Sequence, residues 1–125
     1  MISKDVKLGK NVKIYHADLV NLYGCRIGDN TKIGSFVEIQ KNARIGKNCK
    51  IEAFAFIPEG VAIEDEVLVG PHACFTNDKF PRATTTDGKL KAEKDWQVTE
   101  TLVKKRASIG ANATIICGVT IGENS

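Results

Sequence analysis

The sequence predicts an all-β solenoid in which short strands stack into a prism. From Ile27 to Phe75 an aliphatic or aromatic residue returns at every sixth position without a slip. The same spacing resumes at Ile109, after a polar stretch. Glycine often follows the apolar residue, as in Ile33-Gly34. A period of six fits neither the 3.6-residue helix nor an ordinary antiparallel meander, so each six is expected to form a short strand and a corner.

The first part of the chain keeps this spacing less strictly. Apolar residues occur at Ile2, Leu8, Ile14 and Val20, but Val20 and Ile27 are seven residues apart. The extra residue predicts a β-bulge near 24–26. These irregular early turns are typical of an amino-terminal cap, which need not pack on both sides.

The regular part predicts three interior columns, because three sixes make a coil of about eighteen residues. The expected columns are Ile27, Ile45, Ile63 and Ile109; Ile33, Ile51, Val69 and Ile115; and Ile39, Ile57, Phe75 and Ile121. Small or β-branched residues at the fifth place of each six, such as Ala43 and Val67, are expected to fill the space between the columns.

One polar segment, 76–107, interrupts the ladder and predicts an inserted loop. Loops of this length inside a compact domain are usually functional or disordered. The segment is rich in lysine and arginine and holds the only tryptophan, Trp96. Its cations form either a solvated surface or an electropositive rim for phosphate groups. Trp96 is either a local anchor that pins the loop to the prism or a stacking platform.

The composition sets limits on the rest. The 125 residues are expected to form a single domain, 1–125, with a mild net charge of +3 and no signal for nucleic acid. No apolar run is long enough to span a bilayer and no signal peptide precedes the first coil, so the cytoplasm is the expected location. The four cysteines lack CxxC spacing and are expected to be reduced. The chain stops within a six, at 122–125, so we expect either a fragment that lacks further carboxyl-terminal coils or a short version of the fold.

Sixes such as 45–50 and 109–114 resemble those of the hexapeptide-repeat acyltransferases. The resemblance implies a left-handed parallel β-helix of triangular coils, a homotrimer, and acetyl-CoA as co-substrate in a groove between neighbouring prisms. It also implies that the backbone from 110 to 118 faces the pantetheine arm, with Ala111, Ala113 and Gly118 allowing close approach. If the chain is a short version of the fold, it is expected to bind coenzyme A poorly.

The residues in and around the inserted loop indicate a particular subfamily. Residues 70–83, 87–91, 95–96 and 104–115 are similar to nucleotide-sugar N-acetyltransferases, whose substrates are UDP- or dTDP-linked 3-amino sugars used in surface glycans such as lipopolysaccharide. The related sugar O-acetyltransferases carry a catalytic histidine just after this strand, where this chain has Asn77-Asp78. An amine is nucleophilic once neutral, whereas a hydroxyl needs a base, so the missing histidine favours an amine acceptor.

The candidate site follows from this. Asn77 is expected to orient the acceptor, because an amide cannot act as a base, and Asp78 to accept a hydrogen bond or the proton. The alternative is that both only cap the turn. His72 is a structural residue, a substrate contact or a general base. Arg82 is a candidate phosphate or carboxylate clamp, and Phe80 and Trp96 are candidate substrate contacts.

Four functions remain open from the sequence. The leading one is acetyl transfer from acetyl-CoA to the amine of a nucleotide-linked amino sugar, without a metal ion. The second is transfer to a sugar hydroxyl. A carbonic anhydrase of the same fold needs three histidines around zinc, and the chain has two. A non-catalytic scaffold or sugar-binding solenoid is the fourth.

Overall fold

A computed structural model describes all of residues 1–125 as a prism with three parallel sheets. The first sheet consists of β1 (Lys7–Leu8), β4 (Arg26–Ile27), β7 (Arg44–Ile45), β10 (Val61–Ile63), β13 (Thr101–Val103) and β16 (Thr120–Ile121). The second consists of β2 (Lys13–Ile14), β5 (Lys32–Ile33), β8 (Lys50–Ile51), β11 (Leu68–Val69) and β14 (Ser108–Ile109). The third consists of β3 (Asn21–Leu22), β6 (Glu38–Ile39), β9 (Phe56–Ile57), β12 (Cys74–Phe75) and β15 (Thr114–Ile115). The predicted left-handed parallel β-helix of hexapeptide repeats is therefore confirmed.

The chain visits the three sheets in turn, so each strand pairs with the strands one coil before and one coil after it. We call the turns from the first to the second sheet the first corner, those from the second to the third sheet the second corner, and those from the third back to the first the third corner. Two short 3-10 turns, Ala17–Leu19 and Glu93–Asp95, are the only helical segments. Neither approaches the length or the apolar character of a membrane span.

The interior is filled by the first and fifth places of the sixes, as the sequence predicts. Ile33, Ile39 and Phe75 are completely buried, and so are the fifth-place residues Ala43 and Ala73. Each fully buried aliphatic or aromatic side chain contributes about 1.5–3 kcal/mol relative to exposure. The columns thus supply most of the free energy that holds strands of only two or three residues in place.

The register after the interruption differs from the prediction. Val103, not Ile109, pairs with Ile63 in the first sheet, and Ile109 pairs with Val69 in the second. Each later residue is therefore displaced by one sheet from its predicted column, and Ile115 pairs with Phe75. The predicted loop at 76–107 is correspondingly shorter, because β13 already belongs to the prism and the insertion occupies residues 78–99.

The early irregularity also lies elsewhere. No bulge forms at 24–26; instead Leu22 takes the buried first place and pairs with Ile39. The extra residues between β2 and β3 form the 3-10 turn at Ala17–Leu19, and the following corner is short. Gly24 turns that corner at φ +57°, and its amide donates to Asp5 Oδ1 at 2.9 Å.

The corners explain the glycine pattern. A Cβ on Gly28 would lie 2.6 Å from the Gly46 carbonyl carbon of the next coil, so glycine in the second place permits close stacking of coils. The left-handed backbone falls instead at the fourth place, often on asparagine, as at Asn30 and Asn48. Asparagine tolerates this conformation better than other residues with a side chain.

The cysteines form no disulfide, as expected. Cys25, Cys49 and Cys117 are buried, while Cys74 is partly exposed on the third sheet. Burial raises the pKa of the Cys25 thiol to about 11 and also raises the pKa of Cys49. These thiols act as small apolar core residues.

Candidate active site

The inserted loop leaves and re-enters the prism at one point of the third corner. The Asn77 carbonyl accepts a hydrogen bond from Thr99 N at 2.8 Å, which closes the base of the loop. Asn77 Nδ2 donates to the Glu59 carbonyl of the preceding coil at 3.1 Å. Thr101 N then donates to the Gly60 carbonyl at 3.1 Å, and regular pairing resumes. The side chain of Asn77 is thus fixed at the root of the loop.

Asp78 lies immediately beyond this closure. Its Oδ1 accepts a hydrogen bond from Phe80 N at 3.1 Å, which is an Asx turn. The carboxylate is partly buried and lines a pocket of about 310 Å³ within the loop. Lys79, Phe80, Lys91, Asp95, Trp96, Gln97 and Thr99 complete the lining. The lining of this pocket therefore combines two carboxylates, two ammonium groups and two aromatic rings.

The rest of the loop has its own internal structure. Thr84 and Leu90 form an antiparallel bridge, and Gly88 turns the tip at φ +83°. The 3-10 turn that precedes Trp96 is stabilised by the Ala92 amide, which donates to Asp95 Oδ2 at 2.8 Å. Trp96 is partly buried, whereas Phe80 is 76% exposed.

An ion pair holds the loop against the amino-terminal coils. Glu93 Oε1 lies 2.9 Å from the Nζ of Lys41, which belongs to the third corner two coils earlier. The pairing lowers the pKa of the Glu93 carboxyl and raises that of the Lys41 ammonium. The loop thus folds back along the third corner.

Arg82 lies at the outer side of the loop. Its Nη1 donates only to the neighbouring Pro81 carbonyl, at 3.2 Å, and no carboxylate pairs with it. The guanidinium retains most of its donors for a ligand.

His72 lies at a different corner from Asn77 and Asp78. It stands at the second corner with φ +61°, and its ring stacks on Phe54 at 4.5 Å between centroids. Phe54 stacks in turn on Phe36 at 4.9 Å. Strand β12 separates this aromatic ladder from the loop, so one chain does not bring His72 against Asn77.

The three residues expected near a pantetheine arm are also distributed over the prism. Ala111 is exposed at the second corner, and Ala113 packs against the core. Gly118 lies at the third corner, where its amide donates to the Glu100 carbonyl at 2.9 Å. Only Gly118 is therefore next to the base of the loop.

Gly118 borders the largest cavity, about 410 Å³, which the sequence did not reveal. This groove follows the third corner and the outer face of the first sheet over four coils. Its lining is Asn42, Arg44, Gly60, Val61, Ala62, Glu100, Thr101, Leu102, Gly118, Val119 and Thr120. Small residues at Gly60, Ala62 and Gly118 keep it open. The available sequence signals were Gly60 and Gly118, two glycines that replace asparagine at the fourth place.

Thr101 is the one buried polar side chain without a hydrogen-bond partner. It is 3% exposed, and it lines the groove. The equivalent Thr31 bonds to the Gly46 carbonyl and to Cys49 N. An unpaired buried hydroxyl costs about 1–3 kcal/mol of folding free energy, so Thr101 is less favourable than the paired Thr31.

Family models for hexapeptide repeats match this chain. The bacterial transferase hexapeptide model, described as six repeats, matches residues 24–58 and 42–77. The hexapeptide repeat of succinyl-transferase matches residues 105–125. The matched stretches lie on both sides of the inserted loop and together cover more than half of the chain.

Two curated relatives are bifunctional GlmU proteins. That of Brevibacillus brevis is 34% identical over 102 residues, which are 82% of this chain and 18% of the relative. That of Carboxydothermus hydrogenoformans is 26% identical over an alignment 129 residues long, which covers 97% of this chain and 27% of the relative. The chain thus spans less than a third of the length of these relatives.

A solved structure shares the fold. A mutant of perosamine N-acetyltransferase from Caulobacter crescentus, in complex with CoA and GDP-perosamine, superposes with a TM-score of 0.61 at 18% identity. The match covers 99% of this chain and 45% of the other.

Proposed function

Because the chain belongs to the hexapeptide-repeat transferases, we propose that it transfers an acetyl group from acetyl-CoA to the amine of a nucleotide-linked amino sugar. The observation that carries this proposal is the loop at 78–99. It places the Asp78 carboxylate, cations and aromatic rings beside the open groove of the third corner. Charged and aromatic groups of this kind suit a sugar that bears an amine and phosphates.

The proposed reaction requires the protein to position the two substrates and to accept a proton or a hydrogen bond from the amine. A neutral amine attacks the thioester carbonyl carbon, the carbon–sulfur bond breaks, and the CoA thiolate leaves and is protonated. The amine loses one proton in the same sequence. Asp78 Oδ2 has no partner within the chain and accepts that proton or a hydrogen bond from the amine, while Oδ1 stays with Phe80 N.

Asn77 is assigned a positioning role. Its Nδ2 donates to the Glu59 carbonyl, which orients the amide, and its Oδ1 is the atom that can accept from an acceptor N–H. Arg82, Phe80 and Trp96 are proposed to hold the nucleotide-linked part of the substrate. We place the pantetheine arm along the groove beside Gly118, with Ala111 and Ala113 contributing to the wall from a neighbouring subunit.

We extend the proposal to a homotrimer. Phe36 and Phe54 are 52% and 48% exposed, although they form a continuous stack with His72. An exposed aromatic ladder is typical of a surface that is covered by a partner. In such an assembly His72 meets the site from a neighbouring subunit. Light scattering that finds a monomer at assay concentrations would contradict this assembly.

The acceptor proposal is tested by CoA release. Acetyl-CoA and a thiol-reactive dye are combined with UDP-, dTDP- and GDP-linked amino sugars, and with the matched sugars that carry a hydroxyl in place of the amine. Release with one or more amines and none with the hydroxyl analogues is expected. Release only with hydroxyl acceptors, or none with any acceptor, would overturn the proposal.

Since nucleotide sugars and acetyl-CoA are cytoplasmic compounds, we place this reaction in the cytoplasm, with surface glycans as the destination of the product. The absence of a histidine between residues 73 and 125 disfavours the alternative hydroxyl acceptor.

A further inference from the structure

Three lysines stand in register on the outer face of the second sheet. Lys13, Lys32 and Lys50 come from the neighbouring strands β2, β5 and β8, and each pairs directly with the next. We call them the lysine row. Like charges directly opposite each other on neighbouring strands are destabilising, and the strands here are separated by about 4.8 Å.

The lysine row forms no ion pair within the chain. The two ion pairs of the structure join Lys41 to Glu93 and Arg106 to Glu66. The first sheet repeats the pattern on a second face, with Lys7, Arg26 and Arg44 in register. The amino-terminal coils therefore hold an uncompensated positive charge on two faces.

Lys32 and Lys50 of the lysine row line a concave pocket of about 230 Å³. Tyr15, Gly34 and Glu52 occupy equivalent second places on successive coils and form its side at the second corner. Since Gly34 has no side chain, backbone forms the floor between the other two. Lys13 Nζ lies 4.6 Å from the centroid of the half-exposed Tyr15 ring.

We propose that this pocket binds the diphosphate group of a small molecule, with a nucleoside diphosphate as the ligand class. The ammonium groups of Lys32 and Lys50, on adjacent strands, face two linked phosphates and donate charge-assisted hydrogen bonds. The Tyr15 ring offers a surface for a planar base. The Glu52 carboxylate accepts from a hydroxyl or an N–H of the same ligand.

Within one chain, this site is separate from the proposed acetyl-transfer site. The pocket opens on the second sheet, whereas the inserted loop leaves from the third corner. The pocket combines one aromatic ring and one carboxylate with two ammonium groups, and this combination favours a small ligand. An extended polyanion would bind to the positively charged faces and would need neither the ring nor the carboxylate. The inference stands whether or not the acetyl-transfer proposal holds.

The test is calorimetric titration with pyrophosphate, uridine diphosphate and uridine. The double variant Lys32→Gln/Lys50→Gln is compared with Lys10→Gln/Lys47→Gln, which removes the same charge from exposed lysines of the first corner, outside both proposed sites. Loss of two charge-assisted contacts should weaken pyrophosphate and uridine diphosphate binding by at least about tenfold, and the first-corner variant should change it by less than about twofold. Tyr15→Leu should weaken uridine diphosphate binding and leave pyrophosphate binding unchanged.

The same variants report on folding. Removing the repulsion between neighbouring lysines should raise the thermal midpoint of the ligand-free Lys32→Gln/Lys50→Gln variant at low salt. Equal weakening by both double variants would show non-specific attraction and overturn the proposal. So would binding of heparin or anionic vesicles without binding of pyrophosphate at millimolar concentration.

Discussion

Gly60 is the residue at which the inserted loop rests on the prism. A Cβ at this position would lie 2.5 Å from Val98 Cγ1, and the backbone there has φ +93°. Gly88, at the tip of the same loop, has φ +83° but no atom within 4 Å of its Cβ position. Both glycines have a left-handed backbone, but only Gly60 has a close neighbour. A comparison of substitutions at the two positions therefore distinguishes the effect of steric contact from that of backbone strain.

We expect Gly60→Ala to lower the free energy of unfolding by about 1–3 kcal/mol more than Gly88→Ala. Both variants carry the strain of a left-handed alanine, but only the first forces Val98 to move. Urea unfolding measures both. Val98→Ala in the Gly60→Ala background should restore part of the loss. Equal destabilisation by the two single variants would show that Val98 does not pack on this corner.

Asp78 can be tested without disturbing the turn that it forms. Asparagine retains the oxygen that accepts from Phe80 N, so Asp78→Asn should leave the thermal midpoint unchanged. If Oδ2 receives the proton of the amine, kcat/KM should fall at least about tenfold. Asp87→Asn, at the hairpin tip, is the matched control. An unchanged kcat/KM for Asp78→Asn would leave this residue with a turn-forming role only.

At the scale of elements, the sequence predicted the strands in the regular part of the ladder. Each of these strands carries an apolar residue that recurs every six positions, because each sheet buries one such residue per strand. It missed β13. The six that begins at Val103 has Lys104 where glycine is common, and it directly follows a polar loop. Ala107 at its fifth place was the remaining signal, since it is fully buried like other fifth-place residues.

The loop is an element whose attachment depends on pH. Lys41 lowers the pKa of the Glu93 carboxyl, so the ion pair contributes fully above the ordinary glutamate value of 4.5 and is lost as pH falls through the lower folded value. The pKa of Lys41 is raised, so the ion pair contributes fully below the ordinary lysine value of 10.5. The contribution is lost as pH rises through the higher folded value.

Lys41→Met should therefore raise the pKa of Glu93 toward 4.5, as followed by the carboxyl carbon shift in a nuclear magnetic resonance titration. Because both side chains are exposed, the thermal midpoint at neutral pH should change little. Lys47→Met, on the first corner, provides the control. A Glu93 titration that is the same in all three proteins would show that the ion pair does not persist in solution.

At the scale of the whole molecule, stability comes from the columns, not from the loop. Phe75 is fully buried in the third-sheet column, while Phe80 is 76% exposed five residues later. Phe75→Ala should lower the free energy of unfolding by about 3–5 kcal/mol, because it removes a large side chain and leaves a cavity. Phe80→Ala should change it by less than about 0.5 kcal/mol. Similar losses for the two variants, measured by urea unfolding, would contradict the predicted prism interior.

The candidate site was less predictable than the fold for a reason of topology. Asn77 and His72 are close in sequence, yet the triangular coil puts them at two different corners. Gly60, Gly118 and Arg44 are far apart in sequence, yet successive coils align them along one groove. Periodicity identifies which residues point inward, but the neighbours of an outward residue depend on the register, which the insertion obscured.

The hydrogen bond between Asn77 and Thr99 brings the two ends of the insertion together, so the insertion can be replaced without a change in the prism. If residues 78–99 were excised and Asn77 joined to Glu100, the segment from Phe75 to Leu102 would become an ordinary six, and Val103 would follow in phase. The prism thus imposes no length on what is inserted at this corner. If the loop binds the acceptor as proposed, acceptor preference can diversify by replacement of one contiguous piece of chain, while the columns that maintain the fold stay unchanged.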